Sequence, residues 1–312
     1  MTALRGQVSG TSPRTALGLA LFGLLVVSGW AQPSALVLQS DFGLKDGAVA
    51  AMKGVAASVD LRVPVHDLTH EITPFDIWEA AYRLKQTASY WPAGTVFVSV
   101  VDPGVGTDRL SVVLKTKSGH FFVSPDNGTL TLVAEDLGIA AVRQIDETRN
   151  RLSGSDKSYT FHGRDVYAYT GARLASGAIT FEEVGPERAP EVVRIDYPRP
   201  VEEAGRIRGG IPVLDPNYGN VWTNIPEEML ARVGMKPGDR VRVTLAERGI
   251  VHFTGEVPYV STFGEVPPGA PLLYLNSLLN AALALNQENF AQRHGVRAGA
   301  DWTILLQPLS HE

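Results

Sequence analysis

Two loops carry residue types that could do chemistry. The first is Val101-Asp102-Pro103-Gly104-Val105-Gly106-Thr107-Asp108-Arg109 and the second Thr160-Phe161-His162-Gly163-Arg164-Asp165. In the first, Pro103, Gly104 and Gly106 force a turn, so the backbone can approach a ligand while Asp102 and Arg109 point into the same space. A carboxylate and a guanidinium so placed could polarise a bound molecule. The plain alternative is a tight turn closed by a surface ion pair, which contributes little. In the second loop, His162 stands beside a glycine at the start of a helix, where the first backbone amides favour a neighbouring negative charge. A histidine with a purely structural role is the ordinary alternative there.

These loops must be held by regular elements. Val96-Phe97-Val98-Ser99-Val100 is a β-branched, mostly apolar run expected to be a strand buried on both faces, so the Asp102 loop starts at a strand's carboxyl end. Ligands bind at that edge in open α/β sheets. Ala35-Leu36-Val37-Leu38-Gln39 reads as a second strand, broken at Ser40-Asp41 and followed by a helix over 47–58. Asp41 there suits a donor-rich ligand such as a ribose diol, or else simply caps the helix. No G-x-G-x-x-G is present, so a dinucleotide site is not supported.

Val63 to Glu71 predicts a short strand and a loop, and helical spacing runs from Asp76 to Ser89. His66, His70 and Glu71 lack the spacing and further ligands of a metal site, and none is expected. Phe75 offers a ring to a ligand or to the core. Strands are expected over 111–116 and 120–123, and helices over 130–137 and from the His162 loop to Leu174. Pro186 to Gly205, with three further prolines among acidic residues, reads as a linker. Beyond it, short β-rich runs predict a small barrel-like domain. Within that domain Asp215 to Asn224 gathers carboxylate, amide and aromatic groups suited to an ammonium and a purine edge, or to an ordinary self-bonded turn. Asn276-Ser277 is expected to cap an apolar helix over 278–285.

The chain has 312 residues, enough for two cores, and its net charge of −5 gives no basic footprint for nucleic acid. There is no cysteine, which excludes disulfides and thiolate chemistry. Arg5 and Arg14 precede an apolar run over 16–27 that ends in Ser28-Gly29-Trp30-Ala31, the pattern of a secretory signal cleaved before Gln32. An exported protein without disulfides fits a bacterial periplasm, with no membrane attachment after cleavage. The organisation expected is therefore a leader over 1–31, an α/β domain with a largely parallel sheet over 32–185, a linker over 186–205 and a C-terminal β-barrel domain over 206–312.

Taken together, Ser40-Asp41-Phe42-Gly43, Met52-Lys53-Gly54-Val55, Asp102-Pro103-Gly104-Val105-Gly106, Pro125-Asp126-Asn127-Gly128, Phe161-His162-Gly163-Arg164-Asp165, Asp215 to Asn224 and Leu275-Asn276-Ser277 resemble the SAM hydroxide adenosyltransferase family, relatives of fluorinases and chlorinases. The resemblance covers nearly all of the chain after the leader. It implies hydrolysis of S-adenosyl-L-methionine (SAM) to adenosine and L-methionine by water or hydroxide attack at C5′, with SAM as substrate and no cofactor or metal. It assigns catalysis to Asp102, Arg109 and His162. It assigns the ribose hydroxyls to Asp41, the methionine ammonium to Asp46 and Asp215, the methionine carboxylate to Ser277, and the surroundings of ribose and adenine to Phe75, Tyr218, Asn220 and Phe263. It also implies a homotrimer with sites between subunits.

Sulfonium is already a good leaving group, so an oriented water in line with the bond from C5′ to sulfur is the main requirement. Departures from the halogenases matter here. Asp102 and Val105 stand where fluorinases have Tyr and Thr, Gly163 stands for a Ser, and Leu278 stands for an Arg that contacts methionine. A halide would meet a carboxylate and lack hydroxyl donors, which disfavours halide transfer. A different class of reading is an exported nucleoside or SAM-binding protein without turnover.

Overall fold

The computed structural model describes residues 33–309, with 1–3, 6 and 10. The apolar run over 16–27 and the cleavage point expected before Gln32 lie outside the described residues. No helix among those described is long and apolar enough to cross a membrane.

Seven strands form the N-terminal sheet: β1 (Leu36–Ser40), β2 (Val65–Thr69), β3 (Val96–Val100), β4 (Ser111–Thr116), β5 (Phe121–Pro125), β6 (Ile139–Gln144) and β7 (Glu187–Arg188), in the order β2-β1-β3-β5-β4-β6-β7. Pairing is parallel from β2 through β5 and antiparallel beyond. The two-sided burial expected of the β3 run is observed, and the β1 strand shares it. Leu36, Leu38, Val96, Val98 and Val100 enter one core with Met52, Ala56, Val166 and Ala172. Val37 and Phe97, pointing the other way, enter a second core with Leu84, Leu114, Phe122 and Val133. The helices α1 (Ala48–Val59), α2 (Ile77–Ala88), α3 (Thr131–Leu137) and α4 (Tyr169–Ser176) supply those partners, α1 and α4 on the first face and α2 and α3 on the second. A π-helical turn, Gly163–Ala168, leads directly into α4. Because β1 connects outward to β2 while β3 lies on β1's other side, the strand order reverses between β1 and β3. Ligands bind outside the carboxyl ends of strands at such a switch point.

The segment expected as a linker is fastened along α3. The backbone amides of Val193 and Ile195 donate to Asp126 Oδ1 and Thr131 Oγ1 (2.8 and 2.9 Å), and Tyr197 donates to Glu135 (2.7 Å).

Beyond it come β8 (Val201–Glu203), β9 (Arg206–Ile211), β10 (Val213–Leu214), β11 (Val221–Pro226), α5 (Glu227–Arg232), β12 (Arg240–Glu247), β13 (Ile250–Pro258), β14 (Pro271–Leu275), β15 (Asn280–Leu285), α6 (Phe290–His294) and β16 (Gly299–Pro308). Among the described residues these strands close no barrel. They form two antiparallel sheets, β10-β11-β15-β14 and β13-β12-β16-β9-β8, joined by a Tyr259–Leu273 bridge around one core. The helix expected over 278–285 is also corrected. Asn276 Oδ1 accepts from the amides of Leu278 and Asn280 (2.9 and 3.1 Å), but the turn it closes reverses β14 into β15, with Leu275 opposite Ala281. A short apolar run buried on both faces has no periodicity to separate helix from strand.

Candidate active site

Asp41 and Asp102 follow the carboxyl ends of the adjacent parallel strands β1 and β3, so the sheet itself delivers two carboxylates to the switch point. Two successive turns curl the chain after Asp102: the amide of Val105 donates to the Asp102 carbonyl and that of Thr107 to the Gly104 carbonyl (3.2 and 3.1 Å). Gly106 sits at φ +80°, a conformation costly for a side-chain-bearing residue. The curl brings Arg109 back on Asp102 as a bidentate pair, with Nε and Nη2 donating to the carboxylate at 3.0 and 2.6 Å. Both side chains are nearly buried, 11 and 6 % exposed, so this is not the solvated surface pair of the plain alternative. Burial opposes the charge of Arg109, but the Asp102 bonds outweigh it and hold the guanidinium above its ordinary value.

From the other side the π-turn presents His162, whose Nδ1 lies 3.0 Å from Arg109 Nη2. A guanidinium only donates, so Nδ1 accepts and the proton of the neutral ring is on Nε2. That Nε2 is buried and has no hydrogen-bond partner among the described residues. Burial, together with the Arg109 and Arg151 charges, pushes the imidazolium below its ordinary value despite Glu147 and Asp102. Neutral His162 is the resting form.

Asp41, Phe75, Asp102, Val105, Phe161 and His162 share one cavity of about 280 Å³. Arg109 is not in its lining. It stands behind, bonded to both cavity-facing groups. Asp41 Oδ2 accepts from the amide of Phe75 (3.0 Å), which leaves Oδ1 without a protein partner among the described residues. Phe75 is 70 % exposed and at φ +70°, a strained conformation of the kind that gathers at functional sites. Gly163 is required by close approach, since a Cβ would lie 3.0 Å from the Phe42 ring and 3.1 Å from Val100.

The remaining expected residues are elsewhere. Asp46 is exposed and accepts from the amide of Ala48 at the start of α1 (2.9 Å). Tyr218, Asn220 and Phe263 line a cavity of about 680 Å³ in the C-terminal half, with Tyr274. Asp215, Tyr218 and Ser277 line another against α2, where Tyr90 donates to the Ser277 carbonyl (3.2 Å). Neither cavity includes Asp41, Asp102 or His162. One chain thus carries two separated sets of candidate groups.

The histidines first weighed as ligands have other partners. His70 takes Ser40 Oγ at 2.7 Å and Asp67 at 3.1 Å, and His66 packs on Trp91. No group of three or more His, Asp or Glu placed to hold a metal ion occurs among the described residues. Sequence reasoning missed Asn127, whose Nδ2 donates to the Val101 carbonyl (2.8 Å) and pins the end of β3. It also missed Ser111, Glu147 and Tyr167 behind Arg109. The Pro-Asp-Asn-Gly turn signal held the first of these. Nothing in the sequence pattern marks the others.

A family model described as the SAM hydroxide adenosyltransferase N-terminal domain matches residues 36–185, and its C-terminal counterpart matches residues 209–303. The chain is 37 % identical over 268 residues to a protein of Salinispora tropica named (R)-S-adenosyl-L-methionine hydrolase, covering 83 % of this chain and 93 % of that protein. It is 35 % identical over 234 residues to one of the same name from Methanocaldococcus jannaschii (74 and 80 %), and 29 % identical over 294 residues to a fluorinase of an Actinoplanes species (86 and 96 %). A crystal structure of an uncharacterised conserved protein from Thermotoga maritima superposes with a TM-score of 0.80 at 32 % identity, covering 87 % of this chain and 99 % of that one.

Proposed function

The chain is a member of the SAM hydroxide adenosyltransferase family, and on that footing we infer that it hydrolyses S-adenosyl-L-methionine to adenosine and L-methionine. The observation that carries the mechanism is that Asp102 and His162 face one cavity while Arg109 binds both from behind. Water in that cavity donates to the Asp102 carboxylate and accepts from His162 Nε2, which orients an oxygen lone pair at C5′. The bond from oxygen to C5′ forms as the bond from C5′ to sulfur breaks. Its electron pair leaves with sulfur and gives neutral methionine. The attacking oxygen becomes a strongly acidic protonated alcohol, so even an arginine-paired carboxylate suffices to accept its proton. Because the thioether leaves uncharged, the step requires no Lewis acid or cofactor. Arg109 acts by holding its two neighbours in register rather than by touching water.

Asp41 is assigned to the ribose hydroxyls and Phe75 to the ribose face. A cavity of about 280 Å³ lies at the small end for a ligand of this size and accommodates the ribose and the reacting carbon. The adenine and methionine groups assigned to Tyr218, Asn220 and Phe263, and to Asp215 and Ser277, then come from a neighbouring subunit where one chain keeps them apart, while Asp46, at the start of α1, stays with Asp41. This supports a homotrimer with sites between subunits. The leader pattern supports export to a periplasm.

Incubation with SAM, its R and S sulfonium forms supplied separately, tests the reading. Adenosine and methionine are expected in equal amounts without added metal or halide. Recovery of unreacted SAM alone would leave a binding protein instead. The fluorinase relatives favour one further check: chloride present in excess should yield no halogenated nucleoside, because a halide in this cavity meets the Asp102 carboxylate.

A further inference from the structure

Arg109 makes one more bond, away from the cavity. Its Nη1 donates to Ser111 Oγ at 3.0 Å, where Ser111 opens β4 and is buried. Tyr167 OH lies 3.1 Å from the same oxygen, and Glu147 Oε1 3.2 Å from it. Burial pushes the Tyr167 phenol far above its ordinary value, so it keeps its proton. The direction of each bond then follows. Arg109 and Tyr167 both donate to Ser111 Oγ, and the single hydroxyl proton of Ser111 goes to the Glu147 carboxylate, which can only accept.

Glu147 reaches the other half of the site as well. Its second oxygen takes Arg151 Nη1 at 3.0 Å. Arg151 donates to Ser155 Oγ and the Ser158 carbonyl (3.2 and 2.9 Å) and lies over the Tyr159 ring, in the segment that runs into His162. One carboxylate therefore ties down Arg109 through Ser111 and the His162 approach through Arg151.

We propose that Glu147 and Ser111 are positioning residues for the hydrolysis, fixing the rotation of the Arg109 guanidinium so that Nη2 meets His162 Nδ1 and the ring keeps its Nε2 proton for the attacking water. The proposal rests on the reading of the site given above. The third bond matters because a guanidinium held along one edge by Asp102 can still rock about that edge, and Nη1 is the atom farthest from it. Misplacement of a reacting group by about 1 Å costs up to about a hundredfold in rate. His162 is faced by Arg109 and Arg151, which oppose its protonation, and by Asp102 and Glu147, which favour it. Neutralising Glu147 leaves two cations against one anion, so protonation of His162 becomes harder.

The test uses Ser111→Ala, Ser111→Thr and Glu147→Gln in the full-length protein, with SAM turnover and an NMR titration of the His162 ring without substrate. Ser111→Ala is expected to lower kcat by about tenfold to a hundredfold with KM within about threefold, and Ser111→Thr, which keeps the hydroxyl, to restore it. Glu147→Gln is expected to lower kcat and to move the His162 midpoint to lower pH. Unchanged kcat in Ser111→Ala, failure of Ser111→Thr to restore it, or an unmoved His162 midpoint in Glu147→Gln would each overturn the proposal. If the unaltered protein turns over no SAM, the functional reading fails by itself, and the titration alone decides whether Glu147 acts on His162.

Discussion

Arg109 Nη2 and His162 Nδ1 lie 3.0 Å apart, and because the arginine can only donate, this one contact fixes which nitrogen of His162 carries the proton. Protonating the ring would remove the acceptor and set a second cation against the guanidinium.

A pH dependence follows. The folded protein holds the His162 imidazolium below its ordinary 6.5, so the neutral ring persists to more acid pH than in a free histidine. Turnover should be level above 6.5 and fall as pH drops through a midpoint below that value. The stability contributed by this group has the same sign: the unfolded chain binds the proton more readily, so stability is lost as pH falls. A pH profile of kcat/KM checks this. An acid limb centred above 6.5, or none down to the pH of unfolding, would count against it.

Arg109→Lys keeps the charge but not the fork. An ammonium cannot reach Asp102, His162 and Ser111 at once with planar geometry. Turnover is expected to fall by about a hundredfold or more, comparable to losing a preorganised donor, with KM changed far less. Steady-state kinetics decide it, and a lysine variant within about threefold of the parent kcat would show that charge alone suffices.

Legibility from sequence followed from how local the signal was. The β1 strand, the two-sided burial of β3, the Asp102 turn and the His162 helix start each lie within a few residues of sequence, and each is where expected. Asn280–Leu285 forms a strand instead of the expected helix because its five apolar residues carry no period, and the turn at Asn276 resembles a helix cap in its bonds. Ser111 and Glu147 are ordinary residue types 36 positions apart, and only the folded sheet brings them together. The barrel expectation came from counting short strands. Strand count alone does not say whether a sheet closes.

Gly163→Ser probes the missing side chain. Its Cβ would press on Phe42 and Val100 at 3.0–3.1 Å in a packed wall of the cavity, an overpacking worth about 1–3 kcal/mol. A lower Tm and weaker SAM binding are expected, with no halide transfer gained. A variant as stable as the parent would mean the wall yields.

Subunit complementation tests the proposal that the site is shared between subunits. Asp102→Ala and Asp215→Ala chains should each be inactive, since they break the two separated sets. On the proposed trimer with sites between subunits, the two chains unfolded together and refolded should regain about a quarter of the parental turnover, because random assembly leaves about one site in four with both sets intact. No recovery, with mixed trimers demonstrated by mass, would place each site within one chain.

The central claim is that water from the Asp102 and His162 cavity attacks C5′. Hydrolysis of SAM in heavy-oxygen water, followed by mass analysis of both products, tests it most directly: the label is predicted in the 5′-hydroxyl of adenosine and absent from methionine. Adenosine that forms without the label would contradict the account.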